Sequence, residues 1–378
     1  MHQRLISILV VLTLAMPGLA LESAACAQCQ PGFELLRKGE YLQAMRLFNS
    51  ILRKNSRCAE AHMGIGQSLI ELKKYTRAFA ELNIAIGLDP NLALAYFLRA
   101  RANQELKNPK AALADATSCI KLTPKFAPAY SLRAKCYYEL VYICFTNDQG
   151  YTNLGLADLD KAIALDPKFA EGYKSKGIWL LSEKRHKEAL HFLSRAIELT
   201  PEDSSIYGYR SMVYSELKKF DSALKDLNRL VELRPNNRLS LMRRSDLYFL
   251  MGDNKHCIED LSAALALNQK DASVLNLRAN AYMKMHRYAD ALADYQRVAK
   301  LNALDDEAFK HIGDAYFKLG KYELSCENYS KAIDMRPDAS EHYEARSLAL
   351  EKLGRFKEAV KDRQSARQVK DMPAERRL

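Results

Sequence analysis

The chain has 378 residues, of which 48% are hydrophobic and 27% charged, and its formal net charge is +11. The modest glycine and proline content and the lack of low-complexity runs exclude disordered, collagen-like and mucin-like chains, while the length favours several domains or a repeat array over one compact core. Charges of both signs interleave along the chain. The basic balance therefore favours acidic proteins, anionic lipid head groups or cell-wall polymers as partners, and no nucleic acid.

The N-terminus has the layout of a secretory signal. A short basic start precedes an apolar run over residues 5–20. Small residues then provide cleavage sites after Ala20, Ala25 or Ala27. The sequence thus predicts a signal peptide over residues 1–27 and an exported protein, either periplasmic or secreted.

Two other fates of this segment remain open, and each would bring the chain into contact with a membrane. One is an uncleaved anchor, although the apolar run is shorter than the ~18 residues typical of a bilayer span and contains Pro17. The other is a lipid attached to Cys26, which follows two alanines as in bacterial lipoproteins.

Prolines that close apolar helical stretches recur with a fixed period. Their separations along the chain are 34, 43, 34, 34 and 102, and they stand at Pro90, Pro124, Pro167, Pro201, Pro235 and Pro337. The period is therefore 34, with nine residues inserted once and three units spanned once. A period in this range is typical of stacked supersecondary units.

Two columns of small residues keep the same register. The first includes Gly32, Gly66, Ala100, Ala134, Gly177, Ser211, Ser245, Ala279, Gly313 and Ser347, and the second Ala44, Ala78, Ala112, Gly155, Ala189, Ala223, Cys257, Ala291, Ser325 and Ala359. Small side chains are needed where two helices cross closely. Each unit is therefore predicted to be a pair of antiparallel helices.

The chain resembles the tetratricopeptide repeat family in its period, its columns of small residues and its closing proline. It also shares an aromatic residue before the second helix, as at Tyr41, Tyr75 and Phe220. The resemblance implies an all-α, right-handed superhelical solenoid of about ten helix pairs over residues 28–373, followed by a basic tail at 374–378. The units fall near residues 25–58, 59–92, 93–126, 127–169, 170–203, 204–237, 238–271, 272–305, 306–339 and 340–373.

Six units combine an arginine just before the first small column with an aspartate on the second helix. The offset within each pair is constant except where the insertion lengthens it, and the pairs are Arg99 with Asp115, Arg133 with Asp158, Arg210 with Asp226, Arg244 with Asp260, Arg278 with Asp294 and Arg346 with Asp362. Units without the arginine also lack the aspartate. This co-occurrence predicts partly buried ion pairs that set the helix register, the alternative being a site for acidic ligands.

The family resemblance implies a concave groove, lined by first helices, that binds a protein or an extended peptide. The side chains predicted to line it are Arg101, Lys135, Tyr138, Lys174, Met212, Met242, Phe249, Asn276, Asn280 and Lys310. We expect acidic groups of a ligand near the basic early part and apolar groups near Met242 and Phe249. A solvated surface without a ligand is the alternative.

The nine inserted residues lengthen the first helix of their unit between Leu140 and Gly155. An apolar tip results, formed by Val141, Tyr142, Ile143 and Phe145. Such a tip predicts contact with a partner or self-association, or else packing against the neighbouring hairpin.

Export also makes disulfides possible. In an antiparallel hairpin the start of the first helix lies near the end of the second, so Cys29 and Cys58 are expected to lie close enough for a bond. The sequence has no phosphate-binding glycine loop, nucleophile elbow or kinase motif, and it lacks paired metal ligands at helical spacing. We therefore predict no enzyme, no cofactor and no metal.

The predicted function is that of an exported scaffold or adaptor. The alternatives are a lumenal or periplasmic co-chaperone and an accessory factor of the cell envelope or cell wall.

Overall fold

The computed structural model describes residues 27–142 and 149–371. Within these residues the chain forms twenty α-helices and no strand, after a short 3-10 helix at Ala27–Cys29. The helices are α1 (Gln30–Arg37), α2 (Tyr41–Lys54), α3 (Ala59–Glu71), α4 (Tyr75–Leu88), α5 (Ala93–Glu105), α6 (Pro109–Leu122), α7 (Ala127–Tyr142), α8 (Gln149–Leu165), α9 (Ala170–Ser182), α10 (His186–Leu199), α11 (Ser204–Glu216), α12 (Phe220–Leu233), α13 (Arg238–Leu250), α14 (Asn254–Leu267), α15 (Ala272–Lys284), α16 (Tyr288–Leu301), α17 (Asp306–Lys318), α18 (Tyr322–Met335), α19 (Ser340–Lys352) and α20 (Phe356–Asp371). The predicted all-α array of helix pairs is confirmed.

Three sequence predictions fall outside the described residues. They are the signal peptide apart from Ala27, the inserted residues Ile143 and Phe145, and the basic tail at 374–378. Among the helices that are described, none combines the length and the apolar character needed to cross a bilayer.

Odd-numbered helices are the first members of pairs, and even-numbered helices are the second. A three-residue turn, here called a hairpin turn, joins the members of nine pairs. Its middle residue has a left-handed backbone, with φ between 56° and 79°, and is Gly39, Lys73, Lys107, Lys184, Lys218, Gly252, His286, Gly320 or Gly354. Connections this short force the two helices to be antiparallel neighbours.

Bulky second-helix side chains fill the space above the small residues of the first helices. A Cβ atom added at Gly66 would lie 2.6 Å from Leu82 Cγ, and one added at Gly313 would lie 2.6 Å from Tyr329 Cδ1. In both cases the partner lies at the same offset along the chain. The small columns are therefore contact points at which a larger side chain would push the helices apart.

The chain divides into two compact units, each made of several repeats. They are called the first unit, Met1–Ile206, and the second unit, Tyr207–Leu378. The first contains a core through Phe48 and Leu82, and a smaller cluster in which Trp179 packs against Ala134 and Leu159 of the repeat with the insertion. The second contains cores centred on Leu261, Tyr295 and Tyr329. In each unit, the helix faces that do not form the core are available for contacts with other molecules.

Candidate functional site

Each of the six arginines binds its aspartate through two parallel hydrogen bonds. The Nε and Nη2 atoms of Arg278 donate to the two carboxylate oxygens of Asp294 at 2.7 and 2.8 Å. In the other five pairs the same two bonds measure 2.5 to 2.9 Å. All six aspartates are buried, and the paired carboxylate raises the pKa of Arg278. A guanidinium held in this way is not available to an acidic ligand.

Arginines of this set also reach the second helix of the preceding pair. The Nη1 atom of Arg278 donates to Ser262 Oγ at 3.0 Å, and that of Arg346 donates to Ser330 Oγ at 2.8 Å. Asn83 and Asn228 accept the equivalent bonds from Arg99 and Arg244. Sequence reasoning missed these acceptors, although each precedes its arginine by the same number of positions as the aspartate follows it. The arginine therefore connects three helices.

One repeat without the arginine has a different contact at this position. Lys176 stands where other units have the arginine, and its Nζ lies 4.4 Å from the centre of the Phe192 ring. The same ammonium pairs with Asp160. A cation–π contact can therefore replace the carboxylate bridge at this helix crossing.

Most of the predicted groove residues of the first unit already have partners within the chain. Arg101 pairs with Glu71 at 3.2 Å, and the Tyr138 hydroxyl lies 2.8 Å from Ser182 Oγ. Lys135, in contrast, is exposed and has no ion-pair partner among the described residues. It is thus the most accessible cation of the predicted basic region.

Lys174 lies in an acidic environment. Its Nζ is 2.6 Å from Glu171 and 3.1 Å from Asp203. Burial alone would lower the pKa of Lys174, but the two carboxylates raise it, and Lys174 in turn lowers the pKa of Asp203 against the effect of burial. The charge of Lys174 is therefore largely compensated inside the protein.

The predicted groove residues of the second unit differ in accessibility. Met212 is 45% exposed, whereas Met242 and Phe249 are partly buried against the core. Asn280 accepts a hydrogen bond of 2.6 Å from the Tyr295 hydroxyl. Met212 is thus the most exposed apolar side chain of this set.

Two further groove residues of the second unit are polar. Lys310 pairs with Asp314 at 3.1 Å. Asn276 has a buried Oδ1 atom without a hydrogen-bond partner among the described residues. Asn276 therefore keeps a buried acceptor that is not satisfied within the described part of the chain.

The described part of the apolar tip packs against the next hairpin. Val141 is buried, and the Tyr142 hydroxyl donates a hydrogen bond to Glu183. The rings of Tyr138 and Tyr142 lie 4.7 Å apart, and Tyr138 meets the Trp179 ring edge-on at 5.4 Å. These two tip residues therefore contribute to the core rather than to a protruding contact surface.

The structure brings the two N-terminal cysteines together. The Sγ atoms of Cys29 and Cys58 lie 3.6 Å apart, and both residues are buried. Burial raises the pKa of the thiols of Cys119 and Cys136, to about 11 and about 12. These last two cysteines therefore remain protonated and unreactive near neutral pH.

An unexpected polar cluster lies at the start of α17 and α19. Asp306, Glu307 and His342 place ligand atoms of a kind that could hold a metal ion within 4.8 Å of one another. Arg336, however, lies among them, 3.0 Å from Asp306 and 2.8 Å from Glu307. The guanidinium already supplies the positive charge that a cation would bring, so the cluster serves to join helices.

Comparisons with known sequences agree with the helix pairs. Residues 34–93 and 276–327 match one family profile described as tetratricopeptide repeat, residues 204–237 match a second with the same description, and residues 313–354 match one described as TPR repeat. A search of curated proteins gave no significant match.

Solved structures of similar helix pairs also match. A crystal structure of MamA protein is 24% identical over 47% of this chain and 98% of that chain, with a TM-score of 0.43. TTC0263, a thermophilic TPR protein of Thermus thermophilus, is 19% identical over 50% of this chain and 99% of its own, with a TM-score of 0.45. YrrB, described as a TPR protein with an unusual peptide-binding site, is 20% identical over 51% and 95%, with a TM-score of 0.38. From its repeat period, its helix pairs and the family profiles that it matches, the chain belongs to the tetratricopeptide repeat family.

Proposed function

We propose that this protein is an exported scaffold or adaptor that binds another protein, or an extended peptide of one, on the faces of its first helices. Tetratricopeptide repeats act as protein-binding scaffolds, and the proposed role here is binding rather than catalysis. The observation that carries the proposal is the difference in accessibility among first-helix side chains. The arginines are closed inside the helix pairs, whereas Lys135 and Met212 remain exposed.

The chemistry of these side chains indicates what each unit would accept. In the first unit, Lys135 offers an exposed ammonium to a carboxylate of the partner. In the second unit, Met212 offers a flexible apolar side chain that adapts to different partner shapes. The partner is therefore expected to present acidic groups to the first unit and apolar groups to the second.

Site-specific photocrosslinking tests this placement. A photoreactive amino acid at Lys135 or at Met212 should capture the partner, because both positions are exposed on first helices. Matched controls are the exposed second-helix positions Lys161 and Glu259. The placement is wrong if the control positions capture the same partner equally well.

A charge reversal provides a second test. Lys135→Glu should weaken binding of the partner without unfolding the chain, because Lys135 is exposed and has no ion-pair partner among the described residues. Arg101 and Lys174 are poorer choices, since reversing either one would also break an internal pair. An unchanged partner set for Lys135→Glu would argue against an acidic ligand in the first unit.

Export is supported by the sequence of residues 1–27. The test is the mass of the protein recovered from its native host. Loss of about the first 20 to 27 residues is expected for a cleaved secretory signal. A full-length chain in the membrane fraction would instead favour the anchor, and a lipid mass on Cys26 would favour a lipoprotein.

A further inference from the structure

The charges of the second unit are unevenly distributed between its two edges. Because consecutive helices are antiparallel, the hairpin turns lie at one edge and the four-residue turns that connect successive pairs lie at the other. With one flanking residue on each side, the five hairpin turns (216–220, 250–254, 284–288, 318–322 and 352–356) contain eight basic and two acidic residues. The four connecting turns, counted in the same way, contain four of each. We call the first edge the basic edge.

The lysines of the basic edge are exposed and uncompensated. None of them has an ion-pair partner within the described ranges, and they are Lys218, Lys219, Lys284, Lys318, Lys321 and Lys352. At the opposite edge, Arg238 pairs with Asp271, and Arg336 pairs with Asp306 and Glu307. At the basic edge Arg287 and Arg355 pair with Asp290 and Glu358, so the lysines give this edge its net positive charge, whereas the opposite edge is largely neutralised.

One of these lysines has an unfavourable backbone conformation. Lys218 is the middle residue of its turn and has a φ of 56°, whereas glycine occupies the same position at Gly252, Gly320 and Gly354. An L-residue with a side chain is less favourable than glycine at this φ. The turn therefore carries an ammonium group at a position where glycine would be the more stable choice.

Exposed apolar side chains lie among these charges. Leu250 is 67% exposed, Phe356 64%, Met285 40% and Met251 39%. Leu250 and Met251 border a shallow depression that Lys218 and Lys219 also line. Ammonium groups bind lipid phosphates, and apolar side chains gain free energy on entering the acyl region, so an anionic bilayer satisfies both kinds of group. Nucleic acid would leave the aliphatic side chains without a matching surface.

We propose that the basic edge docks on a membrane surface that contains anionic lipids. The lysines contact the lipid phosphates, and Leu250 and Phe356 enter the interface. This contact differs from attachment through the N-terminus, and it leaves the first-helix faces free for the partner proposed above.

The test is partition of the full chain onto two kinds of vesicle, measured by co-sedimentation. One is phosphatidylcholine alone, and the other contains phosphatidylglycerol as roughly one lipid in three, which gives the surface a negative potential. Binding is expected only to the anionic vesicles and should weaken in high salt. An edge variant should lower the partition constant by about tenfold or more, since each lysine near such a surface contributes appreciably. It carries Lys218→Gln, Lys219→Gln, Lys318→Gln and Lys321→Gln.

A control variant removes the same charge from exposed lysines elsewhere in the second unit. It carries Lys225→Gln, Lys270→Gln, Lys300→Gln and Lys361→Gln. It should bind within about twofold of the unaltered chain, since none of its changes lies in a hairpin turn. Circular dichroism of both variants establishes that each is folded.

Three results would overturn the proposal. One is no binding of the unaltered chain to the anionic vesicles. Another is an equal loss in the edge and control variants, which would mean that net charge alone drives binding. The last is that the chain binds a single-stranded oligonucleotide at least as tightly as it binds the vesicles, and that the edge variant loses this binding. Such a result would assign the surface to nucleic acid. Leu250→Gln with Phe356→Gln should further weaken vesicle binding at unchanged charge, and an unchanged partition constant would exclude the apolar contact.

Discussion

The replacement of Asp294 by alanine tests the role of the repeated ion pairs. Asp294 is 3% exposed and accepts two short hydrogen bonds from Arg278, itself only partly accessible. Removing one partner of a buried pair leaves the other charge uncompensated, at a cost of about 3 to 5 kcal/mol. Arg278 retains some access to water, so we expect a loss of about 3 kcal/mol in the free energy of unfolding.

Asp290→Ala is the matched control, because Asp290 lies on the same helix and also pairs with an arginine. That pair, with Arg287, is 2.8 Å long, but its side chains are 48% and 49% exposed. An exposed pair contributes about 1 kcal/mol or less. The two variants therefore make the same chemical change in one helix and differ mainly in burial.

Urea denaturation followed by circular dichroism at the helical minimum measures both variants. With a denaturant slope of about 2 kcal/mol per M, Asp294→Ala should lower the midpoint by roughly 1.5 M, and Asp290→Ala by less than about 0.5 M. Adding Arg278→Met to Asp294→Ala should restore part of the loss, because the uncompensated charge is then removed. Equal effects of the two aspartate changes, or a double variant that is simply additive, would refute a buried bridge.

Two further predictions concern packing in the first unit. Gly155→Ala should destabilise that unit by about 2 kcal/mol, because the added Cβ would overlap the ring of Trp179. The control Gly87→Ala has open space around it and should be neutral or slightly stabilising. The fluorescence of Trp179, the single tryptophan, reports the first change, and unchanged fluorescence together with an unchanged melting temperature would contradict the prediction. Under oxidising conditions Cys29 and Cys58 should form a disulfide that adds on the order of 3 kcal/mol to the free energy of unfolding. Non-reducing peptide mapping should show the two linked peptides. Absence of the linked peptides, together with a melting temperature that does not change on adding reductant, would rule the bond out.

The repeat pattern was sufficient to predict the helix pairs because their packing is local. In the pair formed by α3 and α4, a first helix of 13 residues, a short turn and a second helix of 14 residues place Gly66 beside Leu82. The same spacing relates Arg278 to Asp294. Contacts within one pair are therefore encoded in a short stretch of sequence.

Contacts between pairs were less accessible to sequence reasoning. Glu71 binds Arg101, and Asp203 binds Lys174, although in each case the two residues belong to different helix pairs. Acids recur at the position of Glu71, as at Glu105 and Glu139, but the two pairings do not recur among the described residues, so the period alone does not identify the partners. Only the structure showed that Arg101 and Lys174 are paired inside the protein. It also showed that Lys135 is exposed.

The sequence by itself determined the repeat length, the two helices of each pair and the small residues at their crossings, because all of these depend on neighbours within about one repeat. Only the tertiary structure decided which polar groups are compensated, because a carboxylate in one pair can neutralise a cation in another. It also decided that the lysines of successive hairpin turns share one edge of the second unit, since antiparallel packing places turns that are distant in the chain on the same side.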